Sequence, residues 1–141
     1  MSLREVAPEA YKAMQALERT IQVEPTIRHL IKVRASILNG CAYCVDMHTK
    51  LARKDGETEQ RLYAVATWHE APFFTPRERA ALALTDEVTR IEGRVPRDVW
   101  DFAAKHFTPE ELANLVWAIA AINTWNRVVV AMRTLPGTFQ A

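Results

Sequence analysis

The sequence has 141 residues, of which 49% are hydrophobic and 25% charged, and its 18 basic and 17 acidic residues give a net charge of +1. A chain of this length fits one domain, residues 1–141, with enough apolar material for a core. The charge balance provides no positive field for nucleic acid or an anionic membrane. No apolar run approaches the roughly 20 residues that span a bilayer, and the first residues lack a signal-peptide core, so we expect a cytoplasmic protein.

Apolar residues recur at helical spacing along almost the whole chain, and strand-like alternation bounded by hairpin turns is absent. This pattern predicts an all-α fold. The first four predicted helices run from about Pro8 to Val23, from about Thr26 to Asn39-Gly40, from the cysteine segment to Lys54, and from near Thr58. The Asn39-Gly40 pair ends the second helix because both residues tolerate the left-handed conformation of a C-cap.

Three further helix starts are marked by proline. In Thr75-Pro76-Arg77-Glu78 and again in Thr108-Pro109-Glu110-Glu111, threonine is placed as the N-cap, proline as the first helical residue and the last glutamate as the capping-box partner. Val95-Pro96 begins a shorter helix between them. The sequence therefore predicts a bundle of about six to seven helices.

The last predicted helix is apolar nearly all round from Leu112 to Met132. A helix that is apolar on every side is usually buried on every side, and a chain of this size has limited means of enclosing one. Burial in a subunit interface is therefore favoured over a central core helix of a monomer. The polar groups of Asn123, Asn126 and Arg127 interrupt this helix and should find hydrogen-bond partners.

The chain has two cysteines, Cys41 and Cys44, three positions apart. A disulfide across so short a loop constrains the unfolded chain little, so a structural role is disfavoured. In a reducing compartment such a pair is more often catalytic or metal-binding.

Both cysteines follow a helix end, so they occupy the first turn of the next helix, where free backbone N–H groups favour the thiolate. His48 lies one helical turn after Cys44 on the same face and can take the thiol proton or pair with the thiolate. The arrangement supplies a nucleophile, a base and a resolving thiol. Spacing alone does not decide which cysteine attacks.

The main alternative is a zinc site. Zinc needs four ligands in a tetrahedron, whereas Cys41 and His48 are separated by roughly 10 Å of rise on a continuous helix. The other histidines, His29, His69 and His106, are scattered along the sequence. We therefore favour redox chemistry over a metal site or a non-functional pair, and without a dinucleotide or haem-attachment motif we expect no cofactor.

The run from Arg34 to His48, RASILNGCAYCVDMH, resembles the core of the carboxymuconolactone decarboxylase superfamily, and within it the alkylhydroperoxidase D-like (AhpD-like) branch. The similarity continues through residues 52–53 and 56–62 and resumes at residues 68–84 and 121–127. It covers most of the chain.

The resemblance implies an all-α AhpD-like bundle assembled as trimers or hexamers. It also implies that Cys44 becomes the sulfenic acid, that Cys41 donates a proton and resolves the disulfide, and that His48 belongs to a proton relay. Relatives commonly place a glutamate twelve residues before the first cysteine, and that position is His29 here. A histidine can shuttle protons near neutral pH but supplies no fixed negative charge.

The leading functional hypothesis is thus a thiol-dependent peroxidase or disulfide oxidoreductase that acts on a small hydroperoxide. Its reductant would be a dithiol, a thioredoxin-type or lipoyl-type partner, or a peroxiredoxin. One alternative is a non-redox lactone lyase, which the intact cysteine pair disfavours because that chemistry needs acid–base groups rather than a dithiol. Another is a redox-sensing oligomer without efficient turnover.

Overall fold

A computed structural model describes residues 2–141, so residue 1 of the predicted domain lies outside it, and within that range the protein is helical with no β-strand. The helices are α1 (Leu3–Val6), α2 (Pro8–Thr20), α3 (Pro25–Leu38), α4 (Ala42–Lys54), α5 (Glu59–Ala64), α6 (Pro76–Thr89), α7 (Arg97–His106) and α8 (Pro109–Ala131), with a 3-10 turn at Val65–Thr67 between α5 and α6. The predicted all-α fold is confirmed. The structure adds the four-residue α1 and ends the first predicted helix at Thr20 rather than near Val23.

Side-chain caps define where several helices begin. Thr75 and Thr108 each accept a hydrogen bond from the backbone N–H three residues later, and the carboxylates of Glu78 and Glu111 each accept one from the backbone N–H of the cap residue. Each capping box satisfies two backbone N–H groups that a helix start would otherwise leave unpaired. Both predicted capping boxes are therefore present.

The central element of the bundle is α3, because it contributes to two hydrophobic clusters. Ile27 and Ile31 pack in one cluster with residues of α6, α7 and α8. Leu30 and Val33 pack in the other, with residues of α4, α5, α6 and the segment after α5. Burial on two sides fixes α3 firmly, and α4, which carries Cys44 and His48, packs directly against it.

Helix α2 lies on the surface and buries none of its residues fully. Its Tyr11 ring meets the Trp125 ring of α8 edge to face, with 5.6 Å between centroids. Glu18 of α2 pairs with Lys32 of α3, at 2.9 Å between Oε2 and Nζ. These contacts hold α2 over one end of the bundle and close one side of the cavity described below.

Within the described residues, none of the helices combines the length and the apolar character needed to cross a membrane.

Candidate functional site

The turn between α3 and α4 places Cys41 at the start of α4. Gly40 has a φ of 66°, in the left-handed region that glycine adopts without a steric penalty. The backbone N–H of Cys41 then donates to the carbonyl of Ser36 at 2.9 Å, which ties the turn back to α3. Cys41 becomes the N-cap residue of α4 and Cys44 lies in its first turn.

Cys41 and Cys44 are joined by a disulfide, with 5.3 Å between their Cα atoms. Both are buried, with exposed fractions of 1% and 2%. The backbone N–H of Cys44 donates to the Sγ atom of Cys41 at 3.3 Å. In the reduced protein, the positive end of the α4 dipole would stabilise a thiolate in this turn, and this N–H would stabilise one on Cys41.

His48 lies one turn after Cys44 on α4 and is buried. The pKa of its imidazole is lowered from the ordinary 6.5 to about 3, mainly by burial and to a smaller extent by the electrostatic influence of Lys32 and His29. His48 is therefore neutral near pH 7. A neutral imidazole can pass a proton between its two nitrogens, but it cannot store one as an imidazolium ion.

A cavity of about 940 Å³ opens beside Cys44 and His48. It is bounded by α1 and α2, by Lys32 of α3, by α4, by the end of α8 and by residues 132–138. Much of its wall is apolar or aromatic, including Tyr11, Tyr43, Met47, Trp125, Val129 and Met132. Cys41 does not line it. A substrate in this cavity would therefore meet the sulfur of Cys44, not that of Cys41.

His29, the fourth predicted site residue, lines a different cavity of about 270 Å³ together with Asp55. Its Nε2 atom lies 2.6 Å from Oδ2 of Asp55, the residue that ends α4. The structure thus brings Cys44 and His48 together on one wall and leaves His29 on another. A relay role for His29 stays a prediction.

An asparagine network supports the turn that carries Cys41. The Nδ2 atom of Asn39 donates to Oδ1 of Asn123 and Oδ1 of Asn126, both at 2.9 Å. Asn126 is fully buried and donates to Ser36 Oγ at 3.0 Å. Asn123 and Asn126 therefore have the partners that the sequence required, and they fasten α8 to the end of α3.

Sequence reasoning did not single out Glu18 or Lys32, which line the same cavity as Cys44. Each belongs to the polar side of an amphipathic helix, where a charged residue ordinarily faces water. Their pairing joins positions 14 residues apart, and helical periodicity carries no signal for it. Among residues 2–141, no three His, Cys, Asp or Glu side chains form a group that could hold a metal ion.

Comparisons with known proteins identify the family of the chain. Residues 8–87 match the model of the carboxymuconolactone decarboxylase family. The uncharacterized protein YdfG of Bacillus subtilis is 44% identical over 136 residues, which span 94% of this chain and 92% of YdfG.

Two solved structures extend the comparison. The Agrobacterium tumefaciens protein ATU0492, of unknown function and proposed as an antioxidant defence protein AhpD, is 44% identical and superposes with a TM-score of 0.94 over 99% of this chain and 98% of its own. The debrominase Bmp8 is 21% identical and shares the fold, with a TM-score of 0.82 over 93% of this chain and 73% of its own. The family match covers more than half of the chain, and the close relatives cover nearly all of it. The chain belongs to the carboxymuconolactone decarboxylase family and has the AhpD-like fold.

Proposed function

We propose that this protein is a thiol-dependent peroxidase and disulfide oxidoreductase of the alkylhydroperoxidase type. Cys44 is the attacking thiol, Cys41 the resolving thiol, and His48 transfers protons. The observation that carries the proposal is the placement of the Cys41–Cys44 disulfide, with Cys44 and His48 on the cavity wall and Cys41 behind them. His29, which contacts Asp55 in the neighbouring cavity, is retained as a candidate relay residue.

The proposed cycle starts from the dithiol. The Cys44 thiolate attacks the terminal oxygen of a hydroperoxide, the O–O bond breaks, and the alkoxide leaves with a proton as an alcohol. Cys44 is now a sulfenic acid. The Cys41 sulfur attacks the Cys44 sulfur, water leaves, and the disulfide forms. An external dithiol, either small or carried by a thioredoxin-type, lipoyl-type or peroxiredoxin partner, then reduces the disulfide and is itself oxidised.

The dimensions of the cavity favour organic substrates. A volume of about 940 Å³ with aromatic walls accommodates a molecule far larger than hydrogen peroxide. An alkyl or aryl hydroperoxide would bury its apolar part against Tyr11, Tyr43 and Trp125 while its O–O bond approaches Cys44.

The same wall favours a second candidate, reductive dehalogenation of an aromatic ring. The debrominase that shares this fold has been solved with 2,3,4-tribromopyrrole bound, and a ring of that kind fits an aromatic-walled cavity. Two thiols and one C–Br bond would give a C–H bond, hydrogen bromide and the disulfide. Bromide release from tribromopyrrole in the presence of a dithiol tests this candidate.

The peroxidase is tested by adding one equivalent of cumene hydroperoxide to the reduced protein and measuring intact mass. We expect the wild type to lose two hydrogen atoms, as two protons and two electrons, without gaining oxygen. Cys41→Ser should gain one oxygen, because its Cys44 sulfenic acid has no resolving thiol, and Cys44→Ser should not react. Unchanged mass of the folded wild type would contradict the peroxidase and favour lyase chemistry. Equal reactivity of the two variants would contradict the assigned roles.

A further inference from the structure

The cavity beside Cys44 carries an excess of positive charge. Its lining includes four basic residues, Arg4, Arg19, Lys32 and Arg133. Among the described residues that line it, only Glu18 is acidic, and Glu18 pairs with Lys32 at 2.9 Å between Oε2 and Nζ. Within residues 2–141 the three arginines form no ion pair. Three positive charges at this cavity are therefore without a counter-charge, although the whole chain has a net charge of only +1.

Arg19 belongs to the face of α2 that forms one wall of the cavity. Tyr11, Gln15 and Glu18 line the cavity from the same helix. Residues three or four apart lie on the same helix face, and Arg19 follows Gln15 by four positions. Arg19 therefore extends the stripe that begins at Tyr11, whose ring packs against the ring of Trp125. The packing of this stripe on α8 places an arginine beside an aromatic wall.

Arg133 follows α8 in a backbone conformation that favours glycine. Its φ is 54°, in the left-handed region, where the Cβ atom of any other residue is crowded. Its N–H donates to the carbonyl of Val130 at 3.1 Å, and the next N–H along the chain donates to the carbonyl of Val129 at 3.2 Å. These are the hydrogen bonds of a Schellman motif, in which glycine usually occupies the position of Arg133. Residues held in such conformations cluster at functional sites, so a role for the Arg133 side chain in the cavity is indicated.

The combination of cations and apolar walls indicates which molecules fit the cavity. A guanidinium group binds a carboxylate through paired, charge-assisted hydrogen bonds. The aromatic and aliphatic side chains of the wall can bury an apolar body, and a cavity of about 940 Å³ has room for a long one. An uncharged ligand would use only the apolar wall, whereas a ligand with a carboxylate would use both features.

We propose that the substrates of this protein are organic hydroperoxides that carry a carboxylate, such as the hydroperoxides of unsaturated fatty acids. The arginines at positions 4, 19 and 133 bind the carboxylate while the O–O bond lies at Cys44. The inference rests on the peroxidase proposed above and adds its substrate class. Oxidation of the two thiols to the disulfide reduces the hydroperoxide to a hydroxy acid and water, and the carboxylate is unchanged.

A different role for the arginines would be to favour the Cys44 thiolate through their positive charge. That effect acts on the sulfur, so it would accelerate the reaction with every hydroperoxide by the same factor. Binding of a carboxylate accelerates only the reaction of substrates that carry one. The ratio of kcat/KM for a charged and an uncharged hydroperoxide therefore separates the two roles.

The experiment measures this ratio for cumene hydroperoxide and for the same molecule with a carboxylate in the para position, with dithiothreitol as reductant. An exposed ion pair typically contributes about 1.5- to 5-fold, and three arginines line the cavity, so we expect the carboxylate to raise kcat/KM of the wild type about tenfold. Added salt should lower this ratio toward one, because ions screen exposed charges.

Two variants and a control test the arginines. Arg19→Gln and Arg133→Gly should each lower the ratio about twofold, and the double variant about fivefold. Arg94→Gln is the matched control, since Arg94 is exposed and does not line the cavity, and it should keep the wild-type ratio. Because glycine adopts the left-handed conformation readily, Arg133→Gly should have an unfolding temperature at least as high as that of the wild type.

A wild-type ratio near one would overturn the inference. It would also be overturned by a ratio in the double variant equal to that of Arg94→Gln, even if the double variant reacted more slowly with both hydroperoxides. That result would assign the arginines to activation of the thiol.

The uncharged substrate separates this inference from the proposed function. If the wild type reduces neither hydroperoxide, the peroxidase proposal fails, and the carboxylate site is tested by calorimetric binding of 4-isopropylbenzoate and of the uncharged 4-isopropylbenzyl alcohol. Tighter binding of the carboxylate than of the alcohol, lost in the double variant and kept in Arg94→Gln, would support the site. Equal binding of the two compounds by the wild type would overturn it.

Discussion

The imidazole of His48 links the site to the stability of the protein. Its pKa is about 3 in the folded protein, mainly because of burial, against about 6.5 when exposed to water. Between these values the unfolded chain binds a proton that the folded chain does not, so stability falls as pH falls through this window. A shift of one pKa unit corresponds to about 1.4 kcal/mol.

We therefore predict that His48→Gln loses less stability on acidification than the wild type. Between pH 6.5 and about pH 4.5 the wild type should lose about 2 kcal/mol more than the variant. Urea denaturation of the oxidised proteins at several pH values measures this difference. His106→Gln on α7 is the control and should follow the wild type. Parallel pH dependence of the wild type and His48→Gln would show that His48 is not buried in its neutral form.

At the residue scale, the sequence predicted the part of the site whose residues lie close together on one helix. The spacing of Cys41, Cys44 and His48 on one helix fixes their proximity, because residues four apart share a helix face. Glu18 and Lys32 reach the same cavity from other helices, so their approach depends on how α2 lies on the bundle. Neither composition nor periodicity specifies that packing, and the sequence could not have placed a carboxylate here.

At the scale of elements, a buried ion pair joins α3 to α6. Arg34 donates from Nε to Oδ1 of Asp86 at 2.6 Å and from Nη2 to Oδ2 at 3.0 Å. Arg34 also donates to the carbonyls of Val65 and Ala66, and Trp68 Nε1 donates to Asp86. Since α3 also carries Lys32 and the Ser36 carbonyl that holds Cys41, this pair fixes the helix on which the site is built.

We predict that Asp86→Asn destabilises the protein by about 3–5 kcal/mol, because it leaves the buried Arg34 charge uncompensated. The pair Arg97–Asp101 provides a control, since it is exposed on α7, with an N–O distance of 3.4 Å. Asp101→Asn should cost at most about 1 kcal/mol. Chemical denaturation measures both values. A loss below about 1 kcal/mol in Asp86→Asn would mean that Arg34 is hydrated rather than buried with its partner.

Helix boundaries could be predicted where a few consecutive residues determine them. The capping boxes at Thr75 and Thr108 were predicted because each motif consists of four consecutive residues. Helix α1 was not predicted, since it spans four residues, has no side-chain cap and buries none of its residues. The Arg34–Asp86 pair joins positions 52 residues apart and was likewise absent from the sequence interpretation.

At the scale of the whole molecule, α8 has one buried face and one exposed face, although its sequence is apolar nearly all round. Leu115, Ile119 and Ile122 are fully buried within the protomer, whereas Trp117 is 57% exposed and Val130 48% exposed. The sequence favoured burial of this helix in a subunit interface. One face is buried inside the bundle, and the other leaves a large aromatic residue in contact with solvent, as expected of a surface that associates with another copy.

We predict that the wild type is an oligomer and that Trp117→Glu lowers its mass at a given concentration. Loss of a central aromatic residue from an interface commonly costs about 2 kcal/mol or more, which weakens association by about 30-fold. Light scattering coupled to size exclusion, over a range of concentrations, measures the change. Tyr63→Glu is the matched control, because Tyr63 is 74% exposed on α5. It should leave the mass unchanged.

The outcome for Trp117→Glu also bears on the site. Trp125 follows Trp117 by eight residues on α8. It lines the cavity, and its ring contacts the ring of Tyr11 on α2. If α8 forms the interface, dissociation should loosen α2 and with it the wall of the cavity beside Cys44, so the variant should lose peroxidase activity together with its assembly. A monomeric wild type with full activity would contradict this coupling, and it would assign the exposed face of α8 to another partner.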